Sequence, residues 1–133
     1  MSADAPHVII VVPVYNEALR LPHSLRAMAA YFGGVRFSHE ILIVVEHSTD
    51  GTLELAAQAT AKQANFQVID NRVHRGKGYA VRSGMLRAGG EFVFYLDADL
   101  STPLDEIARF LLYFESHSEV HVLFRNASIP AAT

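Results

Sequence analysis

The sequence predicts an α/β fold, a doubly wound and mostly parallel sheet with helices on both faces, and three observations carry that expectation. Short β-branched runs alternate with longer stretches of helical period, the order that parallel strands joined by crossover helices require. The runs at 8–12, 40–45, 67–70, 92–96 and 120–124 are nearly continuous in apolar residues, as strands covered on both faces are. Glycine and proline punctuate the intervening stretches where helices should start and stop.

The helices are expected in the following places. Pro22 sits at a first helical position, where its missing N–H has no partner to lose, and Gly33-Gly34 follow Phe32 as a stop, giving a helix over 21–31. Asp50 caps a second helix that reaches about residue 64, with Glu54 in the first turn, where the helix dipole favours an acid. A third begins near Gly78 and stops at Gly89-Gly90. Thr102, with Pro103 behind it, caps a fourth that ends near Ser116. No internal repeat, low-complexity tract or linker interrupts the pattern, so residues 1–133 read as one domain.

Half of the residues are hydrophobic, enough for a genuine core in a chain of 133 residues. Eleven basic against fourteen acidic residues leave a net charge of −3, which argues against nucleic acid as a partner and makes any anion site local. The absence of cysteine excludes disulfides and thiolate catalysis and fits a reducing compartment. Residues 1–6 lack the pattern of a signal peptide and the longest apolar run, 8–14, is too short to span a bilayer, so a soluble, cytoplasmic chain is expected. Asn126-Ala127-Ser128 then reads as an ordinary turn rather than a glycosylation site. The seven histidines are scattered, and His117 and His121, although four apart, are separated by an expected helix end, so shared zinc binding is not expected.

In doubly wound sheets ligands bind beyond the carboxyl ends of the strands, so the loops there are where chemistry is sought. After the first strand, Pro13-Val14-Tyr15-Asn16-Glu17 offers a ring on which a base could stack, or a polar turn that caps the first helix. After the second, Glu46 could accept hydrogen bonds from a nucleobase, while Asp50 is explained as a cap. Around the third helix start, Arg72, Arg75, Lys77 and Arg82 accompany Gly76 and Gly78: either an anion site, with Lys77 or Arg75 on a phosphate, or a solvated basic turn. The spacing matches neither the phosphate loop nor the dinucleotide glycine motif.

The strongest single feature is Asp97-Ala98-Asp99 after the apolar run 92–96. Two carboxylates that close repel one another unless a cation neutralises them, and Mg²⁺ or Mn²⁺ shared with a diphosphate is the natural occupant. Asp-x-Asp also occurs in ordinary turns.

Read together, Val12-Pro13-Val14-Tyr15-Asn16-Glu17, Ser48-Thr49-Asp50-Gly51-Thr52, Arg75-Gly76-Lys77-Gly78 and Asp97-Ala98-Asp99-Leu100-Ser101-Thr102-Pro103 resemble, in order, the motifs of the family-2 glycosyltransferases of GT-A fold. The third and fourth, with Ala80-Val81-Arg82-Ser83-Gly84-Met85 between them, look most like the dolichyl- or polyprenyl-phosphate glucosyl- and mannosyltransferases. The resemblance implies a nucleotide-diphosphate sugar donor of UDP-glucose or GDP-mannose type, its base near Pro13, Tyr15, Glu17 and Glu46. It implies Mg²⁺ or Mn²⁺ at Asp97 and Asp99, the catalytic pair, with Ser101 as a further ligand and Arg75, Lys77 and Arg125 toward the phosphates. It also implies inverting transfer to an acceptor such as a lipid phosphate at a membrane surface, which would make the protein peripheral at the cytoplasmic membrane face. A homo-oligomer is left open.

The chain departs from the family pattern in three places. Val45-Glu46-His47 stands where relatives usually carry Asp-Asp-Gly, His74 stands where asparagine is common, and the chain stops at Thr133, before the acceptor-binding region that relatives continue into. The last departure raises the alternative of a truncated, non-catalytic nucleotide-sugar-binding or assembly module. A nucleotidyltransferase, the third reading, would carry glycines after the first strand, and that loop has none.

Overall fold

The computed structural model describes residues 8–87, 92–117 and 119. They run in the order β1 (Val8–Val14), α1 (Leu21–Phe32), β2 (His39–Val45), α2 (Thr52–Thr60), β3 (Phe66–Asp70), α3 (Lys77–Arg87), β4 (Phe92–Tyr95) and α4 (Glu106–Ser116). The strands form a sheet in the order β3-β2-β1-β4, with all described pairings parallel. The expected fifth strand at 120–124, the Gly89-Gly90 stop, Arg125 and the Asn126 turn lie outside the described residues.

β1 is central because its sequence leaves no polar side to expose, and all of its residues are buried. Alternation divides its side chains between two layers. Val8, Ile10, Val12 and Val14, with Ile41, Ile43 and Val45 of β2, pack against Leu21, Leu25, Met28 and Phe32 of α1, Ala56 of α2, and Ile107 and Leu111 of α4. The α1 positions recur at helical spacing, so one stripe of that helix meets the sheet. On the other face Ile9, Val11, Leu42, Val44 and Ile69 meet Ala80 of α3. Each large aliphatic side chain removed from water in these layers stabilises the fold by about 1.5–3 kcal/mol. α3 lies close to the sheet at Gly84: a Cβ there would overlap Val11 Cγ1 and come within 3.1 Å of Val44 Cγ2.

β1, β2 and β3 succeed one another in one direction, with α1 and α2 on one face, and α3 then recrosses the opposite face to put β4 beside β1. The strand order therefore reverses between β1 and β4. That crevice is the topological switch point where such sheets bind ligands.

Several boundaries differ from the sequence expectation. Gly51, at φ 82°, is the N-cap of α2, and Asp50 acts one residue earlier, its Oδ1 accepting from the Thr52 N–H at 3.1 Å and from the Thr52 hydroxyl. α2 ends at Thr60 rather than 64, where the Thr60 hydroxyl donates to the Ala56 carbonyl (2.8 Å) and a turn from Gln63 N–H to Thr60 O follows (2.9 Å). α4 starts at Glu106 with Asp105 as N-cap. Bonds from Glu106 N–H to Pro103 O and Ile107 N–H to Leu104 O, both 3.1 Å, make tight i+3 turns that delay the α-helical ladder. β4 is only half buried: Val93 and Tyr95 are each 38% exposed, because α3 covers β1 and β2 on that face.

Candidate functional site

The loops at the carboxyl edge all contain backbone in the left-handed region: Asn16 (φ 49°) after β1, Gly51 after β2, Arg72 (φ 62°) and Gly76 (φ 97°) after β3, and Leu100 (φ 55°) after β4. For the non-glycine residues this costs roughly 1–3 kcal/mol each and persists only where surrounding contacts hold it. Side chains supply those contacts. The Ser48 hydroxyl accepts from Asn16 N–H (3.0 Å) and donates to the Glu46 carbonyl (2.9 Å), while Thr49 N–H donates to Asn16 Oδ1 (2.9 Å). Thr52 Oγ1 accepts from Glu17 N–H (3.0 Å) and Asp50 Oδ2 from Ala18 N–H (3.1 Å). Asn16 and Asp50 thus stitch the first two loops together. The Thr52 hydroxyl first, then the Ala18 and Thr52 N–H groups, hold the Asp50 carboxyl below the usual carboxylate range against the opposing effect of desolvation.

At the switch point a cavity of about 350 Å³ is lined by Pro13, Val14, Tyr15, Glu17, Arg20, Glu46, His74, Lys77, Asp97, Ala98 and Asp99. Seven of the residues singled out in the sequence, Pro13, Tyr15, Glu17, Glu46, Lys77, Asp97 and Asp99, are therefore brought together. Ser101 is not in the lining; its N–H donates to Asp99 Oδ1 at 3.0 Å and orients that carboxylate. Arg75 is not in the lining either, its guanidinium lying 5.3 Å from the centroid of the Tyr79 ring. Of the four cations in this segment Lys77 alone lines the cavity, and Arg72 turns back toward Asp70 at 4.0 Å.

The acidic end is built on a tight turn. Leu100, in its left-handed conformation, returns its N–H to the Asp97 carbonyl (3.0 Å), and the buried Ser24 hydroxyl of α1 donates to the Ala98 carbonyl at 2.5 Å. Asp97 Oδ1 accepts from the Tyr95 hydroxyl (2.8 Å) and pairs with Lys77 Nζ (2.7 Å). Burial is the largest influence on Asp97 and opposes its ionisation, yet the bonds from Lys77 and Tyr95 and the lysine charge outweigh it and hold the carboxyl below its ordinary range. The same contacts, with Asp97 first, raise the Lys77 pKa well above the usual lysine value. Arg20 extends over the other acid, 3.8 Å from Asp99 Oδ2 and 3.2 Å from Glu17 Oε1.

The aromatic end has a different character. Tyr15 and His74 stack with centroids 3.7 Å apart and planes 5° from parallel. Behind them Glu46, only 3% exposed, receives three donors on one oxygen: His74 Nδ1 (2.9 Å), Arg75 N–H (3.0 Å) and Gly76 N–H (2.9 Å). Glu46 thereby fixes the loop that leads into α3.

Asp97 and Asp99 offer hard oxygens to the cavity, and no group of three or more His, Asp or Glu suited to a metal occurs among the described residues. That donor set fits Mg²⁺ or Mn²⁺, which take one or two carboxylates and complete their shells with water and phosphate oxygens. Sequence reasoning missed Arg20 and His74 as cavity residues. Only a pairing of Arg20 with Glu17 one helical turn earlier, and the place of His74 beside the basic segment, hinted at them.

Comparison with known proteins gives the same reading of the fold. A dolichyl-phosphate beta-glucosyltransferase of Dictyostelium discoideum is 32% identical over 113 residues, covering 80% of this chain and 35% of that protein. An undecaprenyl-phosphate 4-deoxy-4-formamido-L-arabinose transferase of Aeromonas hydrophila is 34% identical over 110 residues, covering 81% and 33%. Among solved structures, the mannosyltransferase PcManGT from Pyrobaculum calidifontis, in complex with GDP-Man and Mn²⁺, superposes with a TM-score of 0.70 at 25% identity, covering 84% of this chain and 33% of that one. The chain thus spans about one third of the length of the curated relatives it matches. The model of glycosyl transferase family 2 matches residues 9–132, and with the parallel GT-A sheet and the motifs gathered at its switch point, the chain belongs to that family.

Proposed function

We propose that this chain forms the donor-binding part of an inverting glycosyltransferase that takes a nucleotide-diphosphate sugar of UDP-glucose or GDP-mannose type and transfers the sugar to a polyprenyl or dolichyl phosphate. The observation that carries this reading is the single cavity that joins an aromatic end, Pro13, Tyr15 and Glu46, to a charged end, Lys77, Asp97 and Asp99. A nucleoside diphosphate has the same two-ended chemistry. The relatives' names support the lipid-phosphate acceptor, and the bound GDP-Man and Mn²⁺ of the archaeal neighbour support the donor and metal.

In this reading Asp97 and Asp99 would hold Mg²⁺ or Mn²⁺, with Ser101 in the same turn. When bound, the metal supplies Lewis-acid stabilisation of the diphosphate charge. The acceptor oxygen attacks the anomeric carbon, the bond from that carbon to the β-phosphate oxygen breaks, and its electron pair leaves with the nucleoside diphosphate. Lys77 and Arg20 supply fixed positive charge where that leaving charge develops. A lipid-phosphate acceptor arrives ionised, so no strong base is needed to activate it. Such an acceptor would bring the protein to a membrane surface. No helix among the described residues is long and apolar enough to cross a membrane.

Titration calorimetry with UDP-glucose and GDP-mannose, each with Mg²⁺ or Mn²⁺, tests the reading. Metal-dependent binding of at least one donor is expected, weakened in Asp99→Asn. Failure of both donors with both metals would overturn it.

A further inference from the structure

Glu46 occupies the place from which a carboxylate would be expected to read the base, but its geometry commits it elsewhere. It is 3% exposed, and its Oε1 already receives two backbone N–H groups and His74 Nδ1. An oxygen that accepts from two N–H groups is the acceptor toward the imidazole as well, so Nδ1 carries the proton. In a neutral ring the other nitrogen is then an acceptor. His74 Nε2 has no hydrogen-bond partner among the described residues, and the side chain is 45% exposed at the cavity wall. The parallel stack on Tyr15 sets the plane of the ring, and the bond to Glu46 sets its rotation within that plane.

Resting on the donor-binding reading above, we propose that His74 determines the base specificity of the donor site, its Nε2 accepting a hydrogen bond from a ring N–H of the nucleobase, with Glu46 as the positioning residue. Uracil and guanine carry such an N–H on their pairing edge. Cytosine and adenine present a lone pair at the corresponding ring nitrogen, which would face Nε2 acceptor to acceptor. A site built to accept one hydrogen bond rejects an analogue that cannot donate it, by about tenfold for a single neutral bond. Glu46 acts on the base only through the imidazole.

The test is calorimetry on the full chain at about pH 8, comparing UDP with CDP and GDP with ADP under the same metal. The phosphate contacts are common to each pair, so the ratio within a pair isolates the base. The unmodified protein should favour UDP or GDP over its partner by about tenfold. His74→Phe keeps a ring to stack on Tyr15 but has no acceptor, and should bring the ratio to within about twofold. His74→Gln, whose amide oxygen can accept in place of Nε2 although its NH2 can also donate, should restore the UDP or GDP affinity that His74→Phe loses. Glu46→Gln should lower the ratio less than His74→Phe. An unchanged ratio in a folded His74→Phe would overturn the role of His74 and leave the donor reading standing. An affinity for UDP and GDP lost equally in the Gln and Phe variants would likewise overturn the acceptor role. Failure of all four nucleotides to bind would remove the donor reading and this inference with it.

Discussion

Gly84→Ala adds one methyl group where α3 crosses the sheet, and its cost follows from what that methyl meets. The new Cβ would overlap Val11 Cγ1 and approach Val44 Cγ2 to 3.1 Å and Val11 Cγ2 to 3.2 Å. Val11 and Val44 are wholly buried in the two central strands, and β-branched side chains have few rotamers to retreat into. Relief must come from moving α3 off the sheet or distorting β1, and overpacking of this kind costs about 1–3 kcal/mol. For a chain of this size that lowers Tm by roughly 4–15 °C. Gly78→Ala is the internal control: in the same helix nothing lies within 4 Å of the added Cβ, and alanine is the better helix former, so the change should be neutral or stabilise by up to about 1 kcal/mol. Thermal and urea unfolding followed by circular dichroism would measure both. Equal effects of the two substitutions would refute the close approach of α3. The consequence reaches the site, because α3 begins with Lys77 and a helix pushed off the sheet carries Lys77 away from Asp97.

Ser24→Ala removes the hydroxyl that donates to the Ala98 carbonyl and leaves that acceptor unsatisfied beneath the acidic turn, so a loss of about 1–3 kcal/mol is expected in denaturant unfolding; an unchanged midpoint would show that the turn is held by its own backbone. Asp50→Ala should lower the unfolding midpoint in a pH-dependent way. The folded-state pKa of Asp50 is depressed, so its contribution is present above the ordinary carboxylate pKa of about 4 and fades as pH falls through the lower folded value. The gap between Asp50→Ala and the unmodified protein should accordingly be widest near neutrality and narrow in acid, and a gap constant with pH would contradict the assigned contacts.

The parts of the fold that were legible in the sequence are those whose cause lies within one short stretch. β1 and the 41–45 stretch of β2 announce themselves by unbroken apolar runs, and α1 by Pro22 at its start and Gly33-Gly34 just after its end. The start of α4 was misplaced because Thr102-Pro103 suits a helix start and an i+3 turn equally, and two such turns precede the helix at Glu106. The half-exposed β4 was read as fully buried because Phe92-Val93-Phe94-Tyr95 is apolar throughout, whereas cover depends on where α3 lands. The site divides in the same way. Asp97 and Asp99 could be named from their own turn. Choosing Lys77 over Arg75 required the phase of α3 and the competing Tyr79 ring, and His74 acquires its place through Tyr15 and Glu46, both far from it in sequence.

Fold geometry also alters the argument that first marked the paired acids. Two adjacent carboxylates require neutralising charge, and the sequence alone makes a divalent cation its natural source. In the folded chain Lys77 stands 2.7 Å from Asp97 and Arg20 reaches 3.8 Å from Asp99, so side chains of the protein already meet that requirement. Repulsion between the acids is therefore no longer what argues for a metal. The donors themselves are what suit one. Both hydrogen-bonding partners of Asp97 fall on Oδ1, Asp99 is oriented by the Ser101 N–H, and the two carboxylates line one cavity with a lysine and an arginine. Anionic oxygens alone would draw any cation, and cations alone any anion. Both signs in a single cavity suit a ligand that is itself an ion pair, such as a diphosphate with its metal, which Asp97 and Asp99 would hold while the two basic side chains would meet the charge left over.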